Sequence, residues 1–197
     1  MIKIVIFDAD GMVVKRAGRF HDRYSEEFNI QPGKLAGFFS HEFQDCIVGK
    51  KDLKVEIEKR LSEWGWEKSV DELLKYWFEG EQDINTAMLE RIEGMREKGC
   101  ICYLTTNNEQ YRTEYLFDTL GLKKSFDDAF STCRIGFKKS EREFWETLYT
   151  RIGAPKKSTM MVWDDDEANI QAAREAGLTA FLFKNEEDFE EQMSLCI

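Results

Sequence analysis

Residues 2–11, IKIVIFDADG, decide the fold of this chain. The apolar run at 2–7 is rich in β-branched side chains and ends in an acidic turn, which is typical of a buried strand followed by a loop. Similar apolar runs recur at 100–106, 159–163 and 179–183. Because strands that lack alternating polar residues are buried on both faces, these runs predict a parallel sheet covered by helices.

Amphipathic helical patterns separate the predicted strands. They cover 86–98, 109–120, 141–152 and 167–176. Gly99, Gly153 and Gly177 directly follow the first, third and fourth of these stretches, as is common at helix C-termini. Apolar strands that alternate with such helices indicate an α/β fold. We therefore predict a Rossmann-like three-layer core with a parallel sheet.

The section 15–81 interrupts this alternation, because it contains no apolar β-branched run. Its helical patterns cover 21–29, 33–45, 52–64 and 70–78. A chain of 197 residues suits one core with a modest insertion better than two ordinary domains. We therefore predict a core formed by 1–14 and 82–197, with a small helical insertion at 15–81 after the first strand.

The chain is acidic, with 38 aspartates and glutamates, 28 lysines and arginines, and a formal charge of -10. Such a field repels polyanions, so we expect neither a nucleic-acid nor a membrane partner. The first residues lack a signal-peptide pattern, and no apolar stretch reaches membrane-spanning length. Five scattered cysteines argue against a disulfide framework and favour a cytoplasmic location. They are Cys46, Cys100, Cys102, Cys133 and Cys196.

Acidic and polar side chains stand where the predicted strands end. In an open parallel sheet, ligands bind at the carboxyl ends of the strands, so these residues mark the expected site. They are Asp8 and Asp10, then Thr106 and Asn107, then Asp164, Asp165 and Asp166. Lys139 joins them if the segment before it loops over the same edge.

Carboxylates from two distant strands repel one another unless a cation lies between them. Mg2+ prefers a few oxygen ligands and keeps several waters, which suits Asp8 and Asp165, with Asp164 assisting through a water. Each cluster also has a simpler interpretation. Residues 8–11 could be a plain turn, and 164–167 could be the N-cap and acidic first turn of a helix. The occurrence of both clusters in one chain favours the metal site.

Four short stretches carry a family resemblance. They are FDADG at 7–11, LTTN at 104–107, GFKK at 136–139 and VWDDDEAN at 162–169. In this order they resemble the four motifs of the haloacid dehalogenase-like (HAD) superfamily, over nearly the whole chain. Any one of the four would be weak by itself. The resemblance implies the Rossmann-like fold already predicted.

The resemblance also implies the chemistry of the aspartates. Asp8 is the implied nucleophile, which forms an aspartyl-phosphate. Mg2+ is the implied cofactor, bound by Asp8, Asp165 and the backbone carbonyl of Asp10. Asp10 is the implied acid and base, which protonates the leaving oxygen and then activates water. Because halide leaves without a proton, this second aspartate favours phosphate-ester hydrolysis over dehalogenation.

The other motif residues have implied roles around the phosphoryl group. The hydroxyl of Thr106 and the backbone N–H of Asn107 would donate to its oxygens, and Lys139 would supply positive charge. In the family a proline commonly follows this lysine, whereas Ser140 stands here. The neighbouring Lys138 leaves the position of the site lysine open by one residue, although the glycine spacing favours Lys139.

The helical insertion falls where one branch of the family carries a small cap that closes over the site. Asn169 is expected to steady the loop that holds Asp165. Candidate substrate contacts from the cap are Arg16, Arg19, His21, Arg23 and Lys50, each of which could equally be a surface charge. The cap core is expected to contain Trp64, Trp66, Trp77, Phe38 and Phe39.

The sequence therefore predicts a magnesium-dependent phosphatase that hydrolyses a small phosphorylated metabolite, such as a sugar phosphate. A phosphomutase on the same scaffold is the alternative within the enzyme class. A receiver-like signalling module and a non-catalytic binding protein are alternatives outside it. In a receiver the threonine and lysine follow all the acids, whereas here Asp165 comes last, so the order favours the enzyme.

Overall fold

In the part of the chain that the structure describes, five parallel strands form the central sheet. They are β1 Ile4–Asp8, β2 Ile101–Thr106, β3 Asp128–Ser131, β4 Met160–Asp164 and β5 Thr179–Leu182. Their order is β3-β2-β1-β4-β5, so the first strand lies in the middle. The computed structural model describes residues 2–16 and 18–194, and Cys196 lies outside these residues.

Helices cover both faces of the sheet and form the inserted segment. The described helices are α1 Phe20–Glu27, α2 Pro32–Ser40, α3 Glu42–Ile47, α4 Leu53–Glu58, α5 Val70–Glu79, α6 Thr86–Glu97, α7 Gln110–Glu114, α8 Thr132–Ile135, α9 Arg142–Arg151, α10 Glu167–Glu175 and α11 Glu186–Ser194. The α/β fold class with a parallel sheet is thereby confirmed. Among the described helices, none is long and apolar enough to cross a membrane.

The prediction of the individual elements was wrong in several places. The helix predicted at 52–64 ends at Glu58, and α8 and α11 were not predicted. β3 was missed because its four residues, DAFS, contain no apolar run. The helix predicted at 109–120 ends early, and a π-helical turn at Tyr115–Thr119 follows α7. The helix predicted at 33–45 is two helices, because the backbone breaks at His41 between α2 and α3.

Alternate residues of β1 face two separate hydrophobic clusters. Val5 and Phe7 pack with residues of α6 and α11 on one side of the sheet. Ile4 and Ile6 pack with residues of α9 and α10 on the other side. All four residues are buried, which explains why the strand has no polar face. The core therefore has three layers, with the end of β1 at its centre.

The helices α1 to α5 share a third cluster that is rich in aromatic rings. Phe38, Trp64 and Trp77 are buried in it as predicted, whereas Phe39 and Trp66 are only partly buried at its border. Phe20 stacks on Trp77 with ring centroids 4.7 Å apart. The inserted segment thus has its own hydrophobic core.

The inserted segment leaves and rejoins the sheet through two neighbouring stretches of chain. The backbone N–H of Lys15 donates to the oxygen of Asp83 at 2.8 Å. The backbone N–H of Asn85 donates to the oxygen of Val13, also at 2.8 Å. This paired exit and return lies directly after the turn that follows β1, so the segment stands over that end of the sheet.

Candidate active site

The strands β1, β2 and β4 end side by side and bring the predicted acids together. Asp8 pairs with Thr105 in the sheet register, and Asp164 is the last residue of β4. Asp8, Asp164 and Asp165 each offer a carboxylate oxygen, and these oxygens all lie within 4.8 Å of one another. Acids from the two ends of the chain therefore meet at one edge of the sheet.

The acidic cluster has the donor chemistry of a divalent-cation site. Asp8 and Asp164 are buried, and Asp165 is half-buried. Burial and the nearby Asp164 carboxylate raise the pKa of Asp8 well above its usual range. Burial also raises the pKa of Asp165. Mg2+ suits such a cluster, because its ligands are hard oxygen atoms and its positive charge offsets the repulsion between the carboxylates.

Lys139 lies among these acids, whereas Lys138 does not. The Nζ of Lys139 contacts Asp8 Oδ1 and lies 2.8 Å from Asp164 Oδ2. Burial alone would lower the pKa of Lys139, but the carboxylates of Asp164 and Asp8 raise it above its ordinary value. Lys138 instead donates to Gln44 Oε1 at 2.7 Å. The sequence left open whether Lys138 or Lys139 is the site lysine. Lys139, which stands three residues after Gly136, is the one beside the acids.

The loop that carries Asp165 is fixed from two directions. Asn169 Nδ2 and the backbone N–H of Asp166 each donate to Asp164 Oδ1 at 3.0 Å. Asp166 accepts from the N–H of Ala168 at 2.8 Å and caps α10. The N-cap interpretation therefore fits Asp166, while Asp164 and Asp165 point to the cluster. Asn169 steadies the loop through Asp164, the residue before Asp165.

Gly11 allows the first turn to approach Asp165 closely. Its φ is +111°, a backbone conformation that residues with a side chain rarely adopt. A Cβ built there would lie only 1.9 Å from Asp165 Oδ2. Arg16 Nε lies 2.8 Å from the same oxygen. A side chain at position 11 would therefore displace a carboxylate of the cluster.

Asp10, two residues after Asp8, is held by three side chains. Arg112 Nη2 lies 3.1 Å from its Oδ1. Asn108 Nδ2 lies 2.5 Å and Thr106 Oγ1 lies 3.4 Å from its Oδ2. The predicted Thr106 thus lies beside Asp10, and the predicted Asn107 accepts from the backbone N–H of Lys139 at 3.0 Å.

A cavity of about 380 Å³ lies between this edge of the sheet and the helical segment. The core contributes its acids, Lys139 and three side chains after β2. The segment contributes Lys15, Arg16, Arg19, Phe20, His21, Phe39, Phe43, Trp77 and Glu81. Burial raises the pKa of Glu81, which accepts from the N–H of Phe20 at 3.0 Å and from Trp77 Nε1 at 3.1 Å.

Of the five candidate substrate contacts from the segment, Arg16, Arg19 and His21 line the cavity, whereas Arg23 and Lys50 do not. Arg23 Nη2 instead donates to the backbone oxygens of Tyr76 and Trp77, each at 3.2 Å. Lys50 is exposed to solvent. Trp77 and Phe39, expected only as core, also line the cavity.

Asn108, Arg112 and Glu81 are among the cavity residues that sequence reasoning missed. Asn108 directly follows the predicted Asn107, so the asparagine pair was an available signal. Arg112 and Glu81 resemble ordinary surface charges in the sequence, and nothing in their spacing indicates burial. Both lie in the cavity because the end of the helical segment packs against α7, where Arg112 contacts the backbone oxygens of Phe78 and Glu81.

The family model described as haloacid dehalogenase-like hydrolase matches residues 2–177. No curated protein matches the sequence. The chain is similar in structure to HAD family enzyme bt-2542 from Bacteroides thetaiotaomicron, with a TM-score of 0.83, 18% identity and 98% coverage of each chain. The wild-type bt-2542 complex with magnesium and inorganic phosphate gives a TM-score of 0.75 at 19% identity, covering 98% of this chain and 99% of that one.

A predicted HAD-like family hydrolase from Porphyromonas gingivalis has a TM-score of 0.82 and 17% identity, covering 99% of this chain and 97% of that chain. At these identities the solved structures establish the shared fold. The family model covers most of the chain and spans all the residues that gather at the acidic edge. This chain belongs to the haloacid dehalogenase-like hydrolases.

Proposed function

We propose that the protein is a magnesium-dependent phosphatase that hydrolyses a small phosphorylated metabolite through an aspartyl-phosphate on Asp8. The observation that carries the proposal is the convergence of Asp8, Asp164, Asp165 and Lys139 at one strand edge, with Asp10 beside them. The bt-2542 complex with magnesium and inorganic phosphate supports it by structural similarity. No described contact favours a mutase, and membership of the hydrolase family argues against a receiver-like module.

The donor set fits Mg2+. Asp8, Asp165 and the backbone carbonyl of Asp10 would hold the ion, with Asp164 acting through a water. Asp164 is suited to the indirect role because Lys139, Asn169 and a backbone N–H already occupy its oxygens. When bound, the ion would offset the repulsion between the carboxylates and a phosphoryl group. Lys139 would neutralise the remaining charge.

The reaction would take place in two displacements. In the first, a carboxylate oxygen of Asp8 attacks phosphorus, the bond to the leaving oxygen breaks, and Asp10 gives that oxygen a proton. In the second, water attacks the phosphorus of the aspartyl-phosphate, Asp10 takes a proton from the water, and Asp8 is restored with release of inorganic phosphate. Each proton that Asp10 donates is thereby recovered.

The helical segment 15–81 would act as the cap and bind the leaving group. The cavity of about 380 Å³ lies in the usual range for small ligands. Phe39, Phe43 and Trp77 form an apolar wall, and the Glu81 carboxylate lies at its edge. Such a wall suits C–H surfaces and such a carboxylate suits hydroxyl groups, which supports a sugar phosphate or similar substrate. A cytoplasmic location stays part of the proposal.

The test is release of phosphate from a panel of sugar phosphates, nucleotides and small phosphorylated metabolites, with and without Mg2+. Turnover should require Mg2+ and be lost in Asp8→Asn. Asp128→Asn is the matched control, because Asp128 also lies on a parallel strand but starts β3 away from the cavity. Full turnover by Asp8→Asn would reject the nucleophile.

A further inference from the structure

Arg112 is a buried cation of α7 that has no role in the two displacements. It is only 4% exposed, and arginine is rarely buried without a partner. Its Nη2 lies 3.1 Å from Asp10 Oδ1 and 2.6 Å from the backbone oxygen of Glu81. Its Nη1 lies 3.4 Å from the backbone oxygen of Phe78. One guanidinium therefore joins the Asp10 carboxylate to the end of the helical segment.

We propose that Arg112 is a positioning residue that orients Asp10 according to the position of the cap. The inference rests on the proposed function, in which Asp10 exchanges protons with the leaving oxygen and with water. The Asp10 side chain is 42% exposed, so packing does not fix it. Hydrogen bonds fix the Asp10 side chain instead, because Arg112 holds one carboxylate oxygen while Asn108 and Thr106 hold the other.

Arg112 is itself held in one orientation. Its guanidinium carbon lies 5.5 Å from the ring centroid of Phe78 and 5.6 Å from that of Tyr115, within the range of cation–π contacts. The planar guanidinium presents its donors in a fixed fork. A single orientation therefore satisfies the carboxylate and the carbonyls together. A lysine lacks both the planar fork and the second nitrogen that contacts the Phe78 carbonyl, so it does not fix the carboxylate in the same orientation.

The carbonyls that Arg112 binds lie where the helical segment ends. Phe78 is in the last turn of α5, and Glu81 lies between α5 and the return to the core at Asp83. Any displacement of this stretch moves the guanidinium and, with it, the carboxylate of Asp10. Proton transfer requires hydrogen-bond reach, and a displacement of about 1 Å can cost roughly 100-fold in rate. Asp10 is thus aligned when the segment lies over the cavity.

The test measures formation of the phosphoenzyme by quenched flow in saturating Mg2+. Nitrophenolate leaves without a proton, whereas an alkoxide needs one, so only an alkyl phosphate such as glycerol phosphate needs Asp10 in the first step. In Arg112→Lys this step should slow about 100-fold with the alkyl phosphate and less than about threefold with nitrophenyl phosphate. The KM values should stay within about twofold.

Arg96→Lys is the matched control. Arg96 also binds an aspartate, Asp127, at 3.1 Å and a backbone carbonyl, that of Lys124, at 3.1 Å, but it does not line the cavity. It should leave both rates unchanged. Equal slowing of both substrates by Arg112→Lys would overturn the proposal. So would a raised KM with an unchanged first step, which is expected if Arg112 binds the phosphoryl group itself.

A double variant supplies a second readout. If Arg112 acts through Asp10, then Arg112→Lys should cost less than about twofold for the alkyl phosphate once Asp10→Asn is present. A further 100-fold loss in that background would overturn the proposal. Arg112→Lys retains the buried charge, so the test stands even if Arg112→Gln does not fold. Turnover by Asp8→Asn would instead reject the proposed function, whatever Arg112 does.

Discussion

Replacing Gly11 by alanine should weaken Mg2+ binding, because the new Cβ would displace Asp165. The Cβ would lie 1.9 Å from Asp165 Oδ2, whereas real Cβ contacts essentially never fall under 3.0 Å. The carboxylate must therefore retreat by about 1.1 Å, the difference between these two distances. Mg2+ demands near-ideal octahedral geometry with short bonds, so a shift of this size breaks direct coordination.

The expected loss in Mg2+ affinity is roughly 10- to 100-fold, or about 1.4 to 2.7 kcal/mol. Positive φ adds a cost of about 1 kcal/mol to folding for any residue with a Cβ. Gly121→Ala separates the two effects, because Gly121 has a φ of +72° and no atom within 4 Å of its added Cβ. Both variants should lose stability, but only Gly11→Ala should need more Mg2+.

The assay is the Mg2+ dependence of turnover together with the rise in Tm that Mg2+ produces. Gly11→Ala should shift the half-saturating Mg2+ concentration upward by at least about 10-fold. Gly121→Ala should leave that concentration unchanged. A Gly11→Ala protein with the Mg2+ requirement of the wild type would refute the placement of Asp165 as a ligand.

Two other perturbations test the charges around the site. Lys139→Ala should lower the free energy of unfolding by about 3 kcal/mol, because it leaves the buried carboxylates unpaired, and turnover should fall at least about 100-fold. Lys138→Ala should change neither quantity, since Lys138 binds Gln44. Equal losses of unfolding free energy, measured by chemical denaturation, and of turnover in the two variants would contradict the assignment of Lys139 as the site lysine. Glu109 is buried and caps α7, and burial raises its pKa to about 7. The folded state therefore holds a proton between pH 4.5 and 7 that the unfolded state has released, so this group's stabilising contribution is present at low pH and is lost as pH rises through about 7. Between pH 5 and pH 8 the free energy of unfolding, measured in urea, should fall by up to about 3 kcal/mol in the wild type, and Glu109→Gln should lack this fall. An identical pH dependence of the two proteins would count against this.

The sheet could be predicted from sequence wherever a strand is apolar on both faces. β1 and β4 are buried along their whole length, so their composition reveals them. β3 lies at the edge of the sheet and has an aspartate and a serine at its ends. Its position depends on pairing with β2, which local composition does not encode.

The acids could be predicted because each one ends an apolar strand. Asp8 and Asp164 occupy the last position of β1 and β4, and parallel strands end at the same edge. Arg112 could not be predicted, because its burial depends on the helical segment folding back on α7. The same holds for the cavity role of Glu81, which is set by Phe20 and Trp77 from the same segment.

The most direct test of the central claim is to trap the covalent intermediate. Enzyme mixed with Mg2+ and a substrate from the panel is quenched in acid, and the phosphorylated residue is located by mass spectrometry. We predict phosphate on Asp8, formed in the wild type and absent from Asp8→Asn. Phosphate on any other residue, or turnover by a wild type that carries no covalent phosphate at any quench time, would contradict the account.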